Sequence, residues 1–165
     1  MSNNYQPLFA KLNVNRNASY WTATTRFAAP HKPFLLMSVM DLMAQNVIRA
    51  NFIKIDDVLD TFNLYWEQIV PDKKSSIVYP FYHLHNEGFW HLVPVAGKAQ
   101  VVREGGDISS MGKMRELVLG ARFDDELFGL LQVAKTRHEL RQVLIENYFL
   151  STAHPILMSI TKESL

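Results

Sequence analysis

The stretch Pro30-His31-Lys32-Pro33-Phe34-Leu35-Leu36-Met37 decides how the first half of this chain folds. Apolar residues continue beyond it at helical spacing: Val39, Met40, Met43 and Val47. Proline is favoured at the start of a helix, so Pro33 predicts a helix whose unpaired N–H groups point back toward the His-Lys pair. The two prolines also restrict the backbone around that pair. The stretch therefore predicts a stiff cationic loop, suited to a phosphate, followed by an apolar helix.

Charge is unevenly distributed along the chain. Residues 1–40 contain four basic residues and no Asp or Glu, whereas residues 41–70 contain two basic and five acidic residues. The formal net charge of the 165 residues is only +1. Affinity for nucleic acid follows the local cationic surface, so this distribution is compatible with a DNA-binding face. The low net charge argues against a purely electrostatic, histone-like binder.

Length and composition predict one domain over residues 1–165, because a chain that is 48% hydrophobic can bury a substantial core. No stretch approaches the roughly 18 apolar residues of a membrane span, and the polar start Met1-Ser2-Asn3-Asn4 does not resemble a secretory signal. We therefore expect a cytoplasmic protein without a membrane partner. The absence of cysteine excludes disulfides, thiol nucleophiles and thiolate zinc sites.

The remaining periodicity predicts a fold of the α+β class that is mainly α. Apolar spacing over residues 55–69, with Asp56-Asp57 near its start, predicts a second helix. Residues 89–93 and 99–102 have the pattern of two strands around a turn, which predicts an antiparallel hairpin. The final third predicts three helices: one face includes Met111, Met114, Leu117 and Val118, and Thr136 with Glu139 forms a capping box for the last helix. Together these patterns predict a compact helical domain with a small antiparallel β-hairpin, winged-helix-like in shape.

Three histidines, His83, His85 and His91, lie close together in the sequence. On a strand, His83 and His85 would point to one face, which is one way to begin a metal site. Zinc needs three or four ligands with oriented partners, and Glu87 is the only nearby carboxylate. We therefore predict no metal and no cofactor. The sequence also lacks a Gly-x-Ser-x-Gly turn and a phosphate-binding Gly-rich loop with Lys-Ser/Thr, so we predict no catalytic residues.

The stretch Tyr79-Pro80-Phe81-Tyr82 has two interpretations. It is either an aromatic edge of the core, which we favour for Phe81, or an apolar cup formed by the Tyr79 and Pro80 rings beside the cationic loop. A cup of this kind would suit a phosphorothioate, in which sulfur replaces a non-bridging phosphate oxygen. Sulfur is more polarisable and less strongly hydrated, so burying it among ring carbons costs less desolvation than burying oxygen.

These stretches resemble the sulfur-binding domain of phosphorothioate-dependent type IV restriction endonucleases, the bacterial McrA-like enzymes that cut DNA modified by the Dnd system. The resemblance rests on Arg26 with residues 29–36, on residues 79–84 and on residues 88–92, and it extends to residues 122–127 and 140–144. It implies a non-enzymatic module that recognises phosphorothioate-modified double-stranded DNA.

The resemblance also implies roles for particular residues. His31, Lys32 and Arg26 would contact the modified phosphate, and Tyr79 and Pro80 would line the sulfur cavity, together with His83 where some members have a small residue. Members of the family commonly carry a histidine-asparagine-histidine (HNH) nuclease domain after this one. We do not recognise that domain in these 165 residues, so the chain is expected to be an excised module or a stand-alone reader.

Two other classes of function remain open at this level. One is a winged-helix-like DNA-binding or regulatory domain without sulfur preference, and the other is a catalytic domain acting on a small anionic substrate. Equal affinity for modified and ordinary DNA would indicate the first, and turnover by the isolated chain would indicate the second. Candidate base-reading side chains are Asn13, Asn15, Arg16, Asn17, Lys73 and Ser75.

Overall fold

The computed structural model describes residues 4–106 and 108–161. The described chain forms helices and a two-stranded antiparallel sheet, as expected for a mainly helical α+β domain. The helices are α1 (Tyr5–Ala10), α2 (His31–Ala44), α3 (Ile55–Ile69), α4 (Val78–His83), α5 (Ala99–Arg103), α6 (Met111–Leu117), α7 (Asp125–Gln132), α8 (Ala134–Tyr148) and α9 (His154–Ile160), and the strands are β1 (Trp90–Pro94) and β2 (Val118–Phe123).

Helix α2 is the centre of the core. Every residue from Lys32 to Met43 is buried, which is the pattern of a helix that neighbours surround on all sides. Helices α3, α4, α7 and α8 pack against it. The helix begins at His31, so Pro33 lies in the first turn, where its missing N–H costs no hydrogen bond. It ends at Ala44, so Val47, which continues the apolar spacing in the sequence, lies beyond the helix and is exposed.

The helix predicted over residues 55–69 is confirmed as α3, and the one predicted to follow Thr136 is confirmed as α8. In α3 the buried residues recur at helical spacing, and Asp56 and Asp57 lie in the first turn, where they interact favourably with the helix dipole. The predicted capping box is wrong, because α8 already begins at Ala134. The Thr136 hydroxyl instead donates to the carbonyl oxygens of Leu130 and Val133, at the junction of α7 and α8.

The sheet differs from the predicted hairpin. Strand β1 matches the first predicted strand, but residues 99–102 lie in α5, and the partner of β1 is β2, which begins at Val118. Trp90 pairs with Phe123 in the antiparallel register, and their buried rings lie with centroids 5.2 Å apart. This large aromatic contact explains why the distant strand is preferred to the nearby valines. Gly120 allows the close approach of a third segment, because a Cβ there would lie 2.7 Å from the Ile53 carbonyl oxygen.

His83 and His85 do not lie on a strand, so the shared face considered for a metal site does not form. His83 ends α4, and His85 lies in the 3₁₀ turn Leu84–Glu87 that follows. The buried residues Ile77, Phe81 and Leu84 recur three and four positions apart, so burial favours a helix through this segment. The preference for a core position of Phe81 is confirmed.

A buried ion pair joins α2 to α8. The Arg141 Nη2 atom lies 2.9 Å from Asp41 Oδ1, and both side chains are fully buried. The Tyr65 hydroxyl donates to the other carboxylate oxygen of Asp41 at 2.5 Å, and the Thr161 hydroxyl donates to Oδ1 at 3.1 Å. The pair therefore connects α2, α3, α8 and the end of the described chain. Among the described residues, no helix is both long and apolar enough to cross a bilayer.

Candidate nucleic-acid interface

The first turns of α2 and α4 meet at His31 and Tyr79. The His31 ring is surrounded by three aromatic rings, with centroid distances of 4.7 Å to Trp66, 5.6 Å to Trp21 and 5.7 Å to Tyr79. Trp21 and Trp66 are buried, whereas Tyr79 is 49% exposed. The exposed fraction of Tyr79 excludes the interpretation that this tyrosine belongs to the core.

His31 is held as a neutral imidazole. Burial lowers its pKa from the ordinary 6.5 to about 4, because the aromatic surroundings disfavour the charged form. Its Nδ1 atom is buried and has no hydrogen-bond partner among the described residues. At neutral pH His31 therefore offers a ligand hydrogen bonding and ring surface but no positive charge.

Lys32 does not extend from a loop, contrary to expectation, because it lies in the first turn of α2 and is buried. Its Nζ atom donates to Glu87 Oε2 at 2.6 Å and to the Asn13 carbonyl oxygen at 2.7 Å. The Glu87 carboxylate also accepts from the Asn13 backbone N–H at 3.1 Å. In this arrangement Glu87 neutralises the charge of Lys32, and the pair ties α2 to the segment around Asn13.

Arg26 lies on an exposed turn that precedes α2. Its backbone adopts the left-handed conformation with φ 51°, and its Nε donates to the Phe149 carbonyl oxygen at 3.1 Å. The structure therefore places the Arg26 side chain beside the end of α8, and it is not among the residues that line the hollows next to His31.

Tyr79, Pro80 and His83 all lie on α4, but Pro80 does not share the face of the other two. Tyr79 and His83 are four residues apart, so they share one face of the helix, and their ring centroids are 4.4 Å apart. Pro80 is buried in the first turn and does not line the hollows beside Tyr79. The pKa of His83 is lowered by partial burial and, to a lesser extent, by the positive charges of Lys32 and His85.

Two hollows open beside the His31 and Tyr79 rings. The small hollow has a volume of about 10 Å³, and its lining comprises Asn13, Val14, Asn15, Ala29, His31, Lys32 and Tyr79. The wide hollow has a volume of about 460 Å³, and its lining comprises Asn15, Asn17, Tyr20, Trp21, Ala29, His31 and Tyr79. Ala29, His31, Tyr79 and Asn15 are common to both, so the two hollows form one continuous candidate site.

Sequence reasoning missed several of these residues. Ala29 lines both hollows, and the rings of Trp21 and Trp66 lie against His31. Glu87 was considered only as a metal ligand, although it is the counter-ion of Lys32. The acid-free segment over residues 1–40, which contains Asn13, Trp21 and Ala29, was the one signal that could have pointed to this side of the site.

Two of the histidines considered for a metal site, His85 and His91, each have a hydrogen-bond partner of their own. His85 is hydrogen-bonded through Nδ1 to the Tyr82 carbonyl oxygen at 2.6 Å, and His91 Nε2 lies 2.6 Å from Asp124 Oδ1. Within residues 4–106 and 108–161, no group of three or more His, Cys, Asp or Glu side chains is arranged to hold a metal ion.

The fold and the site define a ligand-binding module, in which a neutral histidine packed among aromatic rings and an exposed tyrosine line a hollow of about 10 Å³. The family model for the ScoMcrA-like DNA sulfur-binding domain matches residues 9–161, and the chain belongs to this family. The resemblance recognised in the sequence is thereby confirmed.

A solved structure supports the same fold. The chain is similar to the sulfur-binding domain of SprMcrA, solved in complex with phosphorothioated DNA, with a TM-score of 0.68 and 16% sequence identity. The match covers 95% of this chain and 91% of that one. No curated protein matches the chain.

Proposed function

We propose that this chain binds double-stranded DNA carrying a phosphorothioate and seats the sulfur atom in the small hollow beside Tyr79. The observation that carries the proposal is this hollow of about 10 Å³, located within the residues that the DNA sulfur-binding family model matches. A volume near 10–15 Å³ is about what one water-sized group needs, so the hollow has room for a single atom and not for a whole base or sugar.

The lining of the hollow favours sulfur over oxygen. The Ala29 methyl and the Tyr79 ring provide apolar surface, and His83 supports the Tyr79 ring from the next turn of α4. A phosphate oxygen would lose strong hydration on entering this hollow, whereas the larger sulfur gains dispersion contacts at a lower desolvation cost. Pro80 stiffens the turn of α4 that carries Tyr79, and we assign it to the sulfur side of the site in that supporting role.

The remaining atoms of the phosphate would meet hydrogen-bond donors. His31 is neutral and lines the hollow, so it can donate one N–H without adding charge. Arg26 uses only its Nε within the described protein, and its terminal N–H groups are available to a neighbouring phosphate. Lys73 Nζ lies 4.7 Å from the centre of the ring of Tyr20, which lines the wide hollow, and 3.3 Å from the exposed Asp72 carboxylate. Phosphate contacts of this kind position the duplex, and the sulfur contact selects it.

The wide hollow suits the nucleotides that flank the modified phosphate. The Asn15 side-chain oxygen accepts from the Asn17 backbone and from the Trp21 indole, and the Asn17 side-chain oxygen accepts from Ser19. The amide N–H₂ groups of Asn15 and Asn17 therefore remain as donors beside exposed aromatic surface. Donors of this type pair with acceptors on base edges, such as guanine O6 and N7, in the major groove.

Titration with matched duplexes tests the proposal. Two duplexes of identical sequence, one with a single Rp phosphorothioate and one with an ordinary phosphate, are titrated with the protein at several stated salt concentrations. We expect much tighter binding to the modified duplex, and weaker binding to its Sp isomer, because a fixed hollow meets only one of the two non-bridging positions. Equal affinities would refute sulfur recognition and favour a DNA-binding domain without sulfur preference.

We further propose that this module directs a histidine-asparagine-histidine nuclease to modified DNA, as in type IV restriction. The proposal is supported by the family to which the chain belongs. The isolated chain should bind a phosphorothioated plasmid and leave it intact in the presence of divalent metal, whereas the chain joined to a nuclease domain of that type should cut it. Cleavage by the isolated chain would contradict the assignment of binding to this module and of cleavage to a separate nuclease domain.

A further inference from the structure

Glu87 and Lys32 form a nearly fully enclosed ion pair at the edge of the candidate site. Their side chains are 9% and 4% exposed, and the Nζ–Oε2 distance is 2.6 Å. Lys32 also donates to the Asn13 carbonyl oxygen, and Glu87 accepts from the Asn13 N–H at 3.1 Å. The ammonium therefore has two protein partners before any DNA arrives.

Only one member of the ion pair lines the small hollow. Lys32 lines this hollow together with His31 and Tyr79, whereas Glu87 does not line it. A phosphate whose non-bridging atom enters this hollow would lie close to Lys32 and would compete with the carboxylate for its ammonium. Since both anions carry one negative charge, the carboxylate cancels much of the attraction that a free lysine would exert on any phosphate.

This cancellation acts equally on modified and ordinary DNA, because both backbones carry the same charge. Ordinary phosphates greatly outnumber modified ones in a genome, and the useful quantity is the preference multiplied by the frequency of competing sites. A site that retained a free lysine would bind ordinary backbone more tightly and would be occupied there more often. Keeping the charge contribution small leaves the sulfur contact as the main source of affinity.

We propose that Glu87 is an affinity-limiting residue of the DNA site, which holds Lys32 in an internal ion pair and thereby keeps binding to ordinary DNA weak. The inference rests on the proposed function. It predicts that neutralising Glu87 releases Lys32 to contact a phosphate, so that binding to both duplexes becomes tighter and more dependent on salt.

The test compares Glu87→Gln with the unaltered protein on the two matched duplexes. Glutamine keeps the shape of the side chain and an oxygen that can accept from Lys32, but not the charge. Each phosphate contact changes the log–log salt slope by about 0.9, so we expect the slope to steepen by about one and the affinity for both duplexes to rise roughly three- to tenfold near physiological salt. The preference for sulfur should change little.

Two further variants identify the source of the effect. In Glu87→Gln combined with Lys32→Met, the gain should disappear and the slope should return to that of the unaltered protein. Glu146→Gln on α8 is the matched control, because Glu146 is exposed and its neutralisation changes the net charge by the same amount. An equal gain from Glu146→Gln, or a gain that persists without Lys32, would overturn the inference.

A measurement on the unaltered protein covers the case in which Glu87→Gln fails to fold. The ¹⁵N resonance of Lys32 Nζ is followed while the modified duplex is added. The resonance should show that Lys32 stays paired with Glu87 in the saturated complex, and transfer of the ammonium from Glu87 to the phosphate would overturn the inference. If the unaltered protein does not prefer the modified duplex at all, the proposed function fails instead, which distinguishes the two outcomes.

Discussion

The His31 ring in the first turn of α2 and the Tyr79 ring in the first turn of α4 lie with their centroids 5.7 Å apart and together form one wall of both hollows. His31 is enclosed and neutral, whereas Tyr79 is half exposed. The two rings are thus suited to different tasks: the histidine to a hydrogen bond, and the tyrosine to apolar contact with an incoming atom.

Truncating Tyr79 should reduce sulfur recognition without unfolding the protein. We expect Tyr79→Ala to weaken binding of the modified duplex by about 1–3 kcal/mol, the range for losing a ring contact, and to leave binding of ordinary DNA nearly unchanged. Tyr79→Phe should retain the preference, because the ring and not the hydroxyl provides the contact. Titrations with both duplexes measure the ratio of affinities.

A control for Tyr79 is available in the wide hollow. Tyr20 is similarly exposed, at 51%, but it does not line the small hollow, so Tyr20→Ala should leave the affinity ratio unchanged. The melting temperature of each variant should stay near that of the unaltered protein. A folded Tyr79→Ala protein with its full sulfur preference would show that the sulfur is seated elsewhere.

Arg26→Gln should weaken binding to both duplexes by roughly threefold and lower the salt slope by about 0.9, as for one lost phosphate contact. The ratio between the duplexes should not change. Arg49→Gln is the matched control, because Arg49 is also exposed and also donates through Nε to a carbonyl oxygen, but beyond the opposite end of α2. An unchanged slope for Arg26→Gln would mean that this arginine has only the structural contact to Phe149.

Acid should destabilise the protein through His31. The unfolded chain has an ordinary histidine with a pKa near 6.5, whereas folding lowers the pKa of His31 to about 4, so the unfolded state takes up the proton first. The stability from this residue is fully present above pH 6.5, is lost as the pH falls toward 4, and changes no further below that value. The loss over this window is on the order of 1–3 kcal/mol.

Melting curves at pH 4 to 7 measure this dependence. His31→Gln should flatten it, because glutamine does not take up a proton in this range. The pKa of His83 is also lowered, so His83 likewise contributes to the loss of stability as the pH falls. A dependence that is identical in His31→Gln and in the unaltered protein would contradict the buried neutral state of His31.

Breaking the buried pair between Asp41 and Arg141 should be strongly destabilising. Removing one partner leaves an unpaired charge in the core, at a cost of about 3–5 kcal/mol, so Arg141→Met is expected to lower the melting temperature markedly. Replacing both residues with apolar side chains of similar size should recover much of the loss. If the double variant is no more stable than the single one, the pair is held by contacts other than its charges.

Local patterns predicted α2, α3, α6, α7 and α8, in which apolar residues repeat at helical spacing, but not the short helices α1, α4, α5 and α9. Helices α2, α3 and α8 were all indicated by runs of apolar residues. The second strand was misplaced because its preference is not local: Phe123 is in β2 because its ring packs on Trp90, and nothing near Val101 and Val102 signals that competition.

The candidate site could also be predicted in part, because some of its residues lie in local sequence motifs. The motifs identified His31, Tyr79 and His83, and the fold brings these three side chains together. The internal ion pair of Lys32 could not be predicted, because its partner Glu87 lies fifty-five positions away and no periodic pattern connects the two residues. The neutralisation of the Lys32 charge therefore depends on the tertiary structure and cannot be read from the motif.

The continuous burial of α2 has a consequence for the DNA. The backbone of His31 is continuous with the buried run from Lys32 to Met43, so it cannot shift without disturbing the helix at the centre of the core, where close packing resists small displacements. Any change of shape needed for binding must therefore be made by the DNA duplex. Pyrimidine–purine steps unstack and bend more easily than others, so sequences with such a step beside the modified phosphate should fit the site at a lower deformation energy, even where no side chain touches the bases.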